Sequence, residues 1–335
     1  MKQVDSPIAV LGAGSWGTAL ALLLARNNQT VRLWDIDAEL VTQIQADRVN
    51  SRYIPDHPFP ENISVYHDLG EVLESVTDIL VVVPSHAFGK CIANVKSHRN
   101  GKATRLAWAT KGLDPSNKLL HEVVEAVFGK SLPIAVIAGP SYAKEVAAGL
   151  PTAVSLASND EIFAQDLIER FHNKRFRIYR NKDMIGIELC GAIKNVLAIA
   201  AGINDGMKLG VNSRCAMITR GLAEMSRLCI ALGGQQETVV GLAGVGDLIL
   251  TCSDNQSRNR RFGLALGEGI DFKSAEKAIG QAVEGLYNAK QVYELSQKYG
   301  VEMPIVTQVY RILHDHLNPR VAVKELLERT PKSES

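Results

Sequence analysis

Residues 8–25 read IAVLGAGSWGTALALLLA, and their order decides the fold. Ile8 to Leu11 is an apolar run of strand length. Gly12, Gly14 and Gly17 follow in the spacing G-x-G-x-x-G, and an Ala- and Leu-rich segment without Gly or Pro then suits a helix. The three glycines meet separate requirements. Gly12 permits a tight turn, Gly14 lets a pyrophosphate approach the backbone, and Gly17 lets the helix pack close to the strand. The N–H groups at the positive dipole end of that helix would hold the phosphates. A lone G-x-G-x-x-G is weak. This one lies between a strand and a helix, where the mechanism needs it. The competing reading is a glycine-rich turn in an ordinary α/β unit.

Outward from this stretch, strands and helices alternate. Val31 to Trp34 is a second strand, ending at Asp35, which lies 23 positions after Gly12. An acidic side chain about 20 residues on bonds the adenosine ribose hydroxyls in such units and repels a 2′-phosphate. The other reading of Asp35 is a solvated loop charge, with Asp37 capping a helix from Ala38. Tyr53 to Asn62 carries Pro55, Pro58 and Pro60 and reads as loop. Further strands are expected at Ile63–Tyr66, Ile79–Val83, Arg105–Ala109, Ile134–Ala138, Thr152–Ala157 and Phe176–Tyr179. Helices lie between them, one capped by Asp68 and running to Val76, another over Glu161–Phe171. The alternation predicts a Rossmann-type doubly wound, mostly parallel sheet. Ligands bind such sheets at the carboxyl ends of the strands. The tips VVVPSH (81–86), WATKGL (108–113) and VIAGPSYAKE (136–145) are therefore the candidate rim.

From Met184 the character changes to long Ala, Leu, Ile and Met stretches at helical spacing. We place a domain boundary there: 1–183 a dinucleotide-binding Rossmann domain, 184–335 an all-helical substrate-binding and catalytic domain. Breaks between helices are expected at Gly202–Gly210, Gly233–Gly234, Gly244–Gly246 and the polar run 253–259. The tail 330–335 reads as disordered.

The 335 residues suffice for two domains at roughly 150 residues each. An apolar fraction of 46% and a charged fraction of 22% are ordinary for a soluble globular protein. The net charge of +1 gives no support for nucleic-acid or membrane binding through bulk charge. Five scattered cysteines, never C-x-x-C, argue against a disulfide framework or zinc knuckle and for a reducing cytoplasm. We find no signal-peptide pattern, and Ala19–Ala25 is too short to span a bilayer, so stable membrane insertion is not expected. The eight histidines show no ligand spacing, and no metal is expected.

Several residues stand out chemically. Lys194 lies in GAIKNVLAIAAG, an otherwise apolar helix, and lysine is rarely buried unless paired or functional. Burial would draw its pKa down from about 10.4, suiting it to exchange a proton with a carbonyl or alcohol oxygen. Asn195 beside it could orient. The plain alternative is a lysine that snorkels to the surface. Lys111 on the rim could hold a phosphate or an oxyanion, or be a loop lysine. Gly139, Pro140 and Ser141 precede a helix and could form an anion site, with Ser141 as cap. Asp247 follows two glycines. Ser257, Arg258 and Asn259 make a compact donor set, in which Arg258 can grip a phosphate bidentately. Arg260 and Arg261 lack the aromatic interleaving of a nucleic-acid face, and no nucleic acid is expected. Glu284 is a carboxylate among small and apolar residues, or a plain helix-surface charge.

With these motifs in hand, the chain resembles the bacterial NAD(P)-dependent glycerol-3-phosphate dehydrogenases nearly end to end. GAGSWGTALA, VVVPSH, WATKGL, AGPSYAKE, GAIKNVLAIAAG, ITRGLAEMSRL, LAGVGDLILTC and SDNQSRNRRFG carry the likeness. The resemblance implies NAD(P)H-dependent reduction of dihydroxyacetone phosphate to sn-glycerol 3-phosphate, the backbone precursor of phospholipids. It implies a C-terminal domain like that of 6-phosphogluconate dehydrogenase. It also implies Lys194 as general acid/base with Asp247 orienting. Lys111, Gly139, Ser141, Asp247, Ser257, Arg258 and Asn259 would line the substrate. Ser15, Trp16, Lys111, Ala143, Arg258, Ala282 and Glu284 would approach the cofactor, NAD or NADP, together with Gly12, Gly14, Gly17, Asp35 and Ile36. In one place the chain departs from the pattern. Many members have Gly and then His or Arg after the tryptophan of strand two, where this chain has Asp35 and Ile36. That favours NAD or dual use, with Arg32 and Arg52 as side chains able to compensate. The apolar second half fits a homodimer. Two other functions stay open: a related β-hydroxyacid or phosphosugar dehydrogenase, and a non-catalytic dinucleotide sensor.

Overall fold

The glycine stretch folds as strand, turn and helix. Ile8–Leu11 forms β1, buried on both faces as a central parallel strand must be, and Ser15–Arg26 forms α1 with Gly14 at its N-cap. A computed structural model describes residues 6–99 and 101–330, and the chain divides after Glu188 into two compact units. The expected disorder of the tail concerns residues 330–335, of which 331–335 lie outside the described residues.

The first unit continues through β2 (Val31–Trp34), α2 (Ala38–Asp47), β3 (Val49–Asn50), β4 (Ile54–Pro58), β5 (Ile63–Tyr66), α3 (Leu69–Val72) and β6 (Asp78–Val81). Then come α4 (Ser85–His98), β7 (Arg105–Trp108), α5 (Leu120–Phe128), β8 (Ile134–Ala138), α6 (Ala143–Ala147), β9 (Thr152–Ser158), α7 (Glu161–Phe171) and β10 (Phe176–Asn181). Eight strands form one sheet in the order β10-β9-β8-β7-β6-β1-β2-β5, parallel throughout except between β8 and β9. The order reverses at β1, so the carboxyl ends of β1 and β6 flank the switch point where such sheets bind ligands. Leu20, Leu23 and Leu24 of α1 are buried against the sheet, each contributing about 2 kcal/mol by area.

The opposite, amino edge of this sheet holds a buried ionic cluster. Asp78 begins β6 and accepts from Arg105 Nε at 2.6 Å and from Arg170 Nη2 at 2.8 Å. Arg170 is itself fully buried and also donates to Gln29 at 2.6 Å. The ionic cluster thus lies at the end of the strands opposite the candidate rim.

Two expectations for this unit need correction. The proline-rich segment is not all loop: β4 pairs antiparallel with β3 in a separate two-stranded sheet. Pro55 and Pro58 are exposed there, and so short a ladder draws its hydrogen bonds from other residues. The helix capped by Asp68 ends at Val72 rather than Val76, and Ser75 then adopts a left-handed backbone at φ 57°.

The long helix α8 (Met184–Gly206) starts at the expected boundary, and the division falls inside it. It is long and apolar enough to cross a membrane, but 83% of its apolar window is buried within the protein, which makes it a core helix. The second unit continues with α9 (Val211–Ala231), α10 (Gln236–Val239), α11 (Asp247–Ser253), α12 (Arg258–Gly267), α13 (Phe272–Ile279), α14 (Glu284–Lys298), α15 (Pro304–His314) and α16 (Pro319–Leu327). Among the described residues it contains no strand.

One expected break is shorter than expected, confined to residues 207–210, and another is not a break. α8 runs through Gly202 to Gly206, because these glycines let α12 cross it closely. A Cβ on Gly202 would lie 2.1 Å from the Arg260 carbonyl oxygen, and one on Gly263 would lie 2.1 Å from that of Ile199. Gly244 and Gly246 fall in a π turn, Leu242–Gly246, that leads straight into α11. A Cβ on Gly244 would meet the Val239 carbonyl oxygen at 1.9 Å, so close packing again demands the glycine.

Candidate active site

In the first unit the glycine turn is built as its spacing requires. Gly12 has φ 112°, and a Cβ there would lie 2.8 Å from the Val82 carbonyl oxygen. A Cβ on Gly17 would sit 1.8 Å from the Gly12 carbonyl oxygen, so the helix lies directly on the turn. A Cβ on Gly14 would meet nothing within 4 Å, which leaves open space over the backbone there. Beside it on α1, Ser15 is half-buried and Trp16 has a buried Nε1 donor with no hydrogen-bond partner. Open space above a glycine and an unused donor both fit a bound dinucleotide.

Asp35 is not a solvated charge. Its Oδ2 accepts from the Ala13 N–H at 2.7 Å and its Oδ1 from the Asp37 N–H at 3.0 Å, so the carboxylate lies against the turn. Asp37 caps α2 through the Leu40 N–H at 3.0 Å and pairs with Arg52 at 2.7 Å. The Leu40 hydrogen bond, with Arg52, holds the Asp37 carboxyl below its ordinary value. Ile36 stands 71% exposed. Arg32 donates to the carbonyls of Glu71 and Glu74 at 3.1 and 2.6 Å, which commits it to the α3 side.

The neighbouring strand tips converge. Lys111, beyond β7, donates to the Gly139 carbonyl at 3.1 Å, and the Ser141 hydroxyl donates to the same oxygen at 2.9 Å. Ser141 therefore does not cap α6. The N-cap is Tyr142, without a side-chain bond, and Ala143 opens the helix and packs against the core.

A trio that sequence reasoning missed joins the end of β7 and the start of α5 to a buried carboxylate on α8. Glu188 accepts from Trp108 Nε1 at 3.1 Å, the His121 N–H at 3.0 Å and His121 Nδ1 at 2.6 Å. Burial pushes Glu188 up against the pull of His121. Burial also opposes charge on His121, but Glu188 outweighs it and holds the imidazole above its ordinary value. The trio's only sequence signal was a second charged residue in the apolar run containing Lys194.

In the second unit Lys194 does not snorkel. It is 6% exposed, with Nζ 2.9 Å from Asp247 Oδ1 and 2.8 Å from Thr251 Oγ1. Asp247 opens α11 at the end of the π turn, a distortion that recurs at functional sites. Thr251 sits one helical turn on and donates to the Asp247 carbonyl at 2.6 Å. It was missed, although its i, i+4 spacing from Asp247 was there to be read.

Ser257, Arg258 and Asn259 do not form one donor set. The Ser257 hydroxyl caps α12 by accepting from the Arg260 N–H at 3.2 Å. Arg258 is half-buried and donates to Gln281 at 3.4 Å. Asn259 belongs to a buried relay of amides. It accepts from the Gly285 N–H at 2.9 Å and donates to Asn195 at 2.9 Å, and Asn195 donates to Asn288 at 3.0 Å. Asn195, Asn259 and Gly285 each follow a predicted site residue, Lys194, Arg258 or Glu284. The relay therefore registers α8, α12 and the start of α14 against one another. Glu284 is half-buried in the first turn of α14, and Ala282 is exposed just before it. Arg260 is buried on the Cys252 carbonyl at 3.0 Å and paired with Asp205, so its role is internal.

A glycine turn of this build, at the switch point of a doubly wound sheet, puts the chain among the dinucleotide-dependent oxidoreductases. The comparisons narrow the class. The profile for NAD-dependent glycerol-3-phosphate dehydrogenase N-terminus matches residues 7–164, and that for the C-terminus matches 183–324. The chain belongs to this family. It is 62% identical over 334 residues to the glycerol-3-phosphate dehydrogenase (NAD(P)+) of Coxiella burnetii, covering all of both chains. It is 51% identical over 337 residues to that of Erwinia tasmaniensis, covering 100% of this chain and 99% of the relative. A 2.1 Å crystal structure of the Coxiella burnetii enzyme superposes with a TM-score of 0.95 at 62% identity, over 97% of this chain and 99% of that one.

Proposed function

We propose that this chain reduces dihydroxyacetone phosphate to sn-glycerol 3-phosphate with NADH or NADPH, reversibly. The observation that carries the reading is the buried Lys194–Asp247–Thr251 cluster in a family of NAD(P)-dependent dehydrogenases. The nicotinamide cofactor, when bound, supplies the hydride for the ketone carbon. The glycine turn and the first N–H groups of α1 hold its phosphates, and Asp35 takes the ribose hydroxyls. Lys194 Nζ gives a proton to the ketone oxygen as negative charge develops there, and takes it back from the alcohol in the reverse direction. Asp247 and Thr251 fix where that amine points. Arg258 takes the phosphate, because a planar guanidinium can bond two of its oxygens at once. Ser257, by capping α12, and Asn259, by tying that helix to α8 and α14, fix the helix start that carries Arg258, and Lys111 with Ser141 and Gly139 lines the substrate.

The product fits a precursor of glycerophospholipids. Five free cysteines suit the reducing cytoplasm, and exposed Val211, Ile230 and Val240 support a homodimer.

Replacing Lys194 by Ala removes the proton donor and leaves the glycine turn intact. Turnover should fall about 10²–10⁴-fold. NADH titrated into the variant should still bind as to wild type. Steady-state turnover near the wild-type rate would remove Lys194 from the chemistry.

A further inference from the structure

Ala13, the middle residue of Gly12-Ala13-Gly14, is held from both sides. Its N–H donates to Asp35 Oδ2 at 2.7 Å. Its carbonyl accepts from Asn50 Nδ2 at 2.7 Å and from Thr18 Oγ1 at 3.1 Å. Asn50 Nδ2 also donates to Thr18 Oγ1 at 2.9 Å, closing a triangle of hydrogen bonds. Asn50 and Thr18 are both completely buried. The orientation of the Asn50 amide follows from its partner, since a carbonyl oxygen can only accept. Asn50 comes from β3, in the small sheet formed with the proline-rich segment, far from the turn in sequence.

We propose that Asn50 is a positioning residue for the cofactor's pyrophosphate, acting through the Ala13–Gly14 peptide; this rests on the dinucleotide reading of the turn. In a trans peptide the carbonyl oxygen and the following N–H point in opposite directions. Asn50 and Thr18 draw the Ala13 oxygen into the protein. The Gly14 N–H is thereby turned away from Asn50 and Thr18, and a Cβ on Gly14 would meet nothing within 4 Å, so the backbone there is open to a ligand. The donor is held ready before the ligand arrives, and preorganised donors bind more tightly because nothing is left to order.

Asn50 does not sit there for stability alone. Its Oδ1 is buried without a hydrogen-bond partner, and an unsatisfied buried acceptor is costly. A side chain chosen only to fill the space would avoid that cost. What the amide adds is the donor pair that fixes Ala13 and Thr18.

The test uses the full chain and reads affinity directly. NADH is titrated by fluorescence and ADP-ribose, which has the pyrophosphate without the nicotinamide, by calorimetry. In Asn50→Ala both dissociation constants should rise about tenfold, the effect of about one lost hydrogen bond. KM for NADH should rise with them, while kcat at saturating NADH changes far less. Thr18→Val should weaken both ligands in the same direction, and Thr18→Ser, which keeps the hydroxyl, should restore them. Thr18→Val carries the test if Asn50→Ala does not fold. Variants that melt earlier but bind both ligands as wild type does would overturn the proposal and leave the dinucleotide reading standing. A wild-type chain that binds neither ligand would overturn both.

Discussion

In the proposed function, Asp35 has two duties at one carboxylate. One is structural: its oxygens hold the N–H groups of Ala13 and Asp37. The other follows from charge. A carboxylate at the end of β2 suits ribose hydroxyls and repels the extra phosphate of NADP. Ile36 beside it is exposed and brings no cation, and Arg32 is committed to the carbonyls of Glu71 and Glu74. We therefore expect kcat/KM for NADH to exceed that for NADPH by about tenfold or more, the effect of a repulsion near 1.4 kcal/mol. Asp35→Asn keeps an acceptor for the turn but removes the charge, so it should narrow the ratio. A wild-type preference for NADPH would sink this assignment. At this scale the sequence was informative where a residue is costly to place. Lys194 on an apolar helix needs a reason, and a G-x-G-x-x-G between strand and helix has few. Asn50 and Asn288 gave no such signal. A polar residue of ordinary size acquires its meaning from a partner that only the fold supplies, 37 residues away for Asn50 and Ala13.

The same limit shows in the elements. Period and strand length located the sheet, and Glu161–Phe171 forms a helix over the range expected. Glycine was harder to read, because one residue type both ends helices and lets them touch. Gly202–Gly210 looked like one break, but only 207–210 separates two helices, and Gly202 and Gly206 are half of a crossing whose other half is Gly263 and Gly267 on α12. An exposed helical glycine costs about 1 kcal/mol relative to alanine, so Gly→Ala usually stabilises. Gly263→Ala should do the reverse. The new methyl would lie 2.1 Å from the Ile199 carbonyl oxygen, and overpacking of this kind costs about 1–3 kcal/mol or more. The melting midpoint should fall by several degrees, on a scale of roughly 2–4 °C per kcal/mol for chains near this size. An unchanged or raised midpoint would mean that α8 and α12 do not pack this closely. Proline misled in the opposite direction. Pro55 and Pro58 argue against a central strand, and β4 is neither central nor long.

Across the whole molecule, each unit carries buried charge that the proposed chemistry does not use. In the first it is Asp78 between Arg105 and Arg170 at the amino edge of the sheet. In the second it is Glu224, on α9, which reaches the start of α15. Its two oxygens accept from the Ile305 and Val306 N–H groups at 2.8 and 3.1 Å, donors that a helix start leaves without internal partners. Pro304, at the first helical position, has no N–H to satisfy. Burial raises the Glu224 carboxyl from 4.5 to about 7, although both backbone bonds pull it down. The native state therefore holds this proton more tightly than the unfolded chain does. The stability from that proton is whole below about pH 4.5 and is lost as pH rises through about 7, on the order of 3 kcal/mol in all. Glu224→Gln cannot ionise, so it removes this dependence and leaves every other titrating group in place. The difference between the wild-type and variant melting midpoints isolates Glu224. Relative to the variant, the wild type should lose stability steadily from about pH 5 to about pH 8. Parallel curves over that range would mean that the carboxylate is already charged in the fold, with the helix start, rather than burial, setting its protonation.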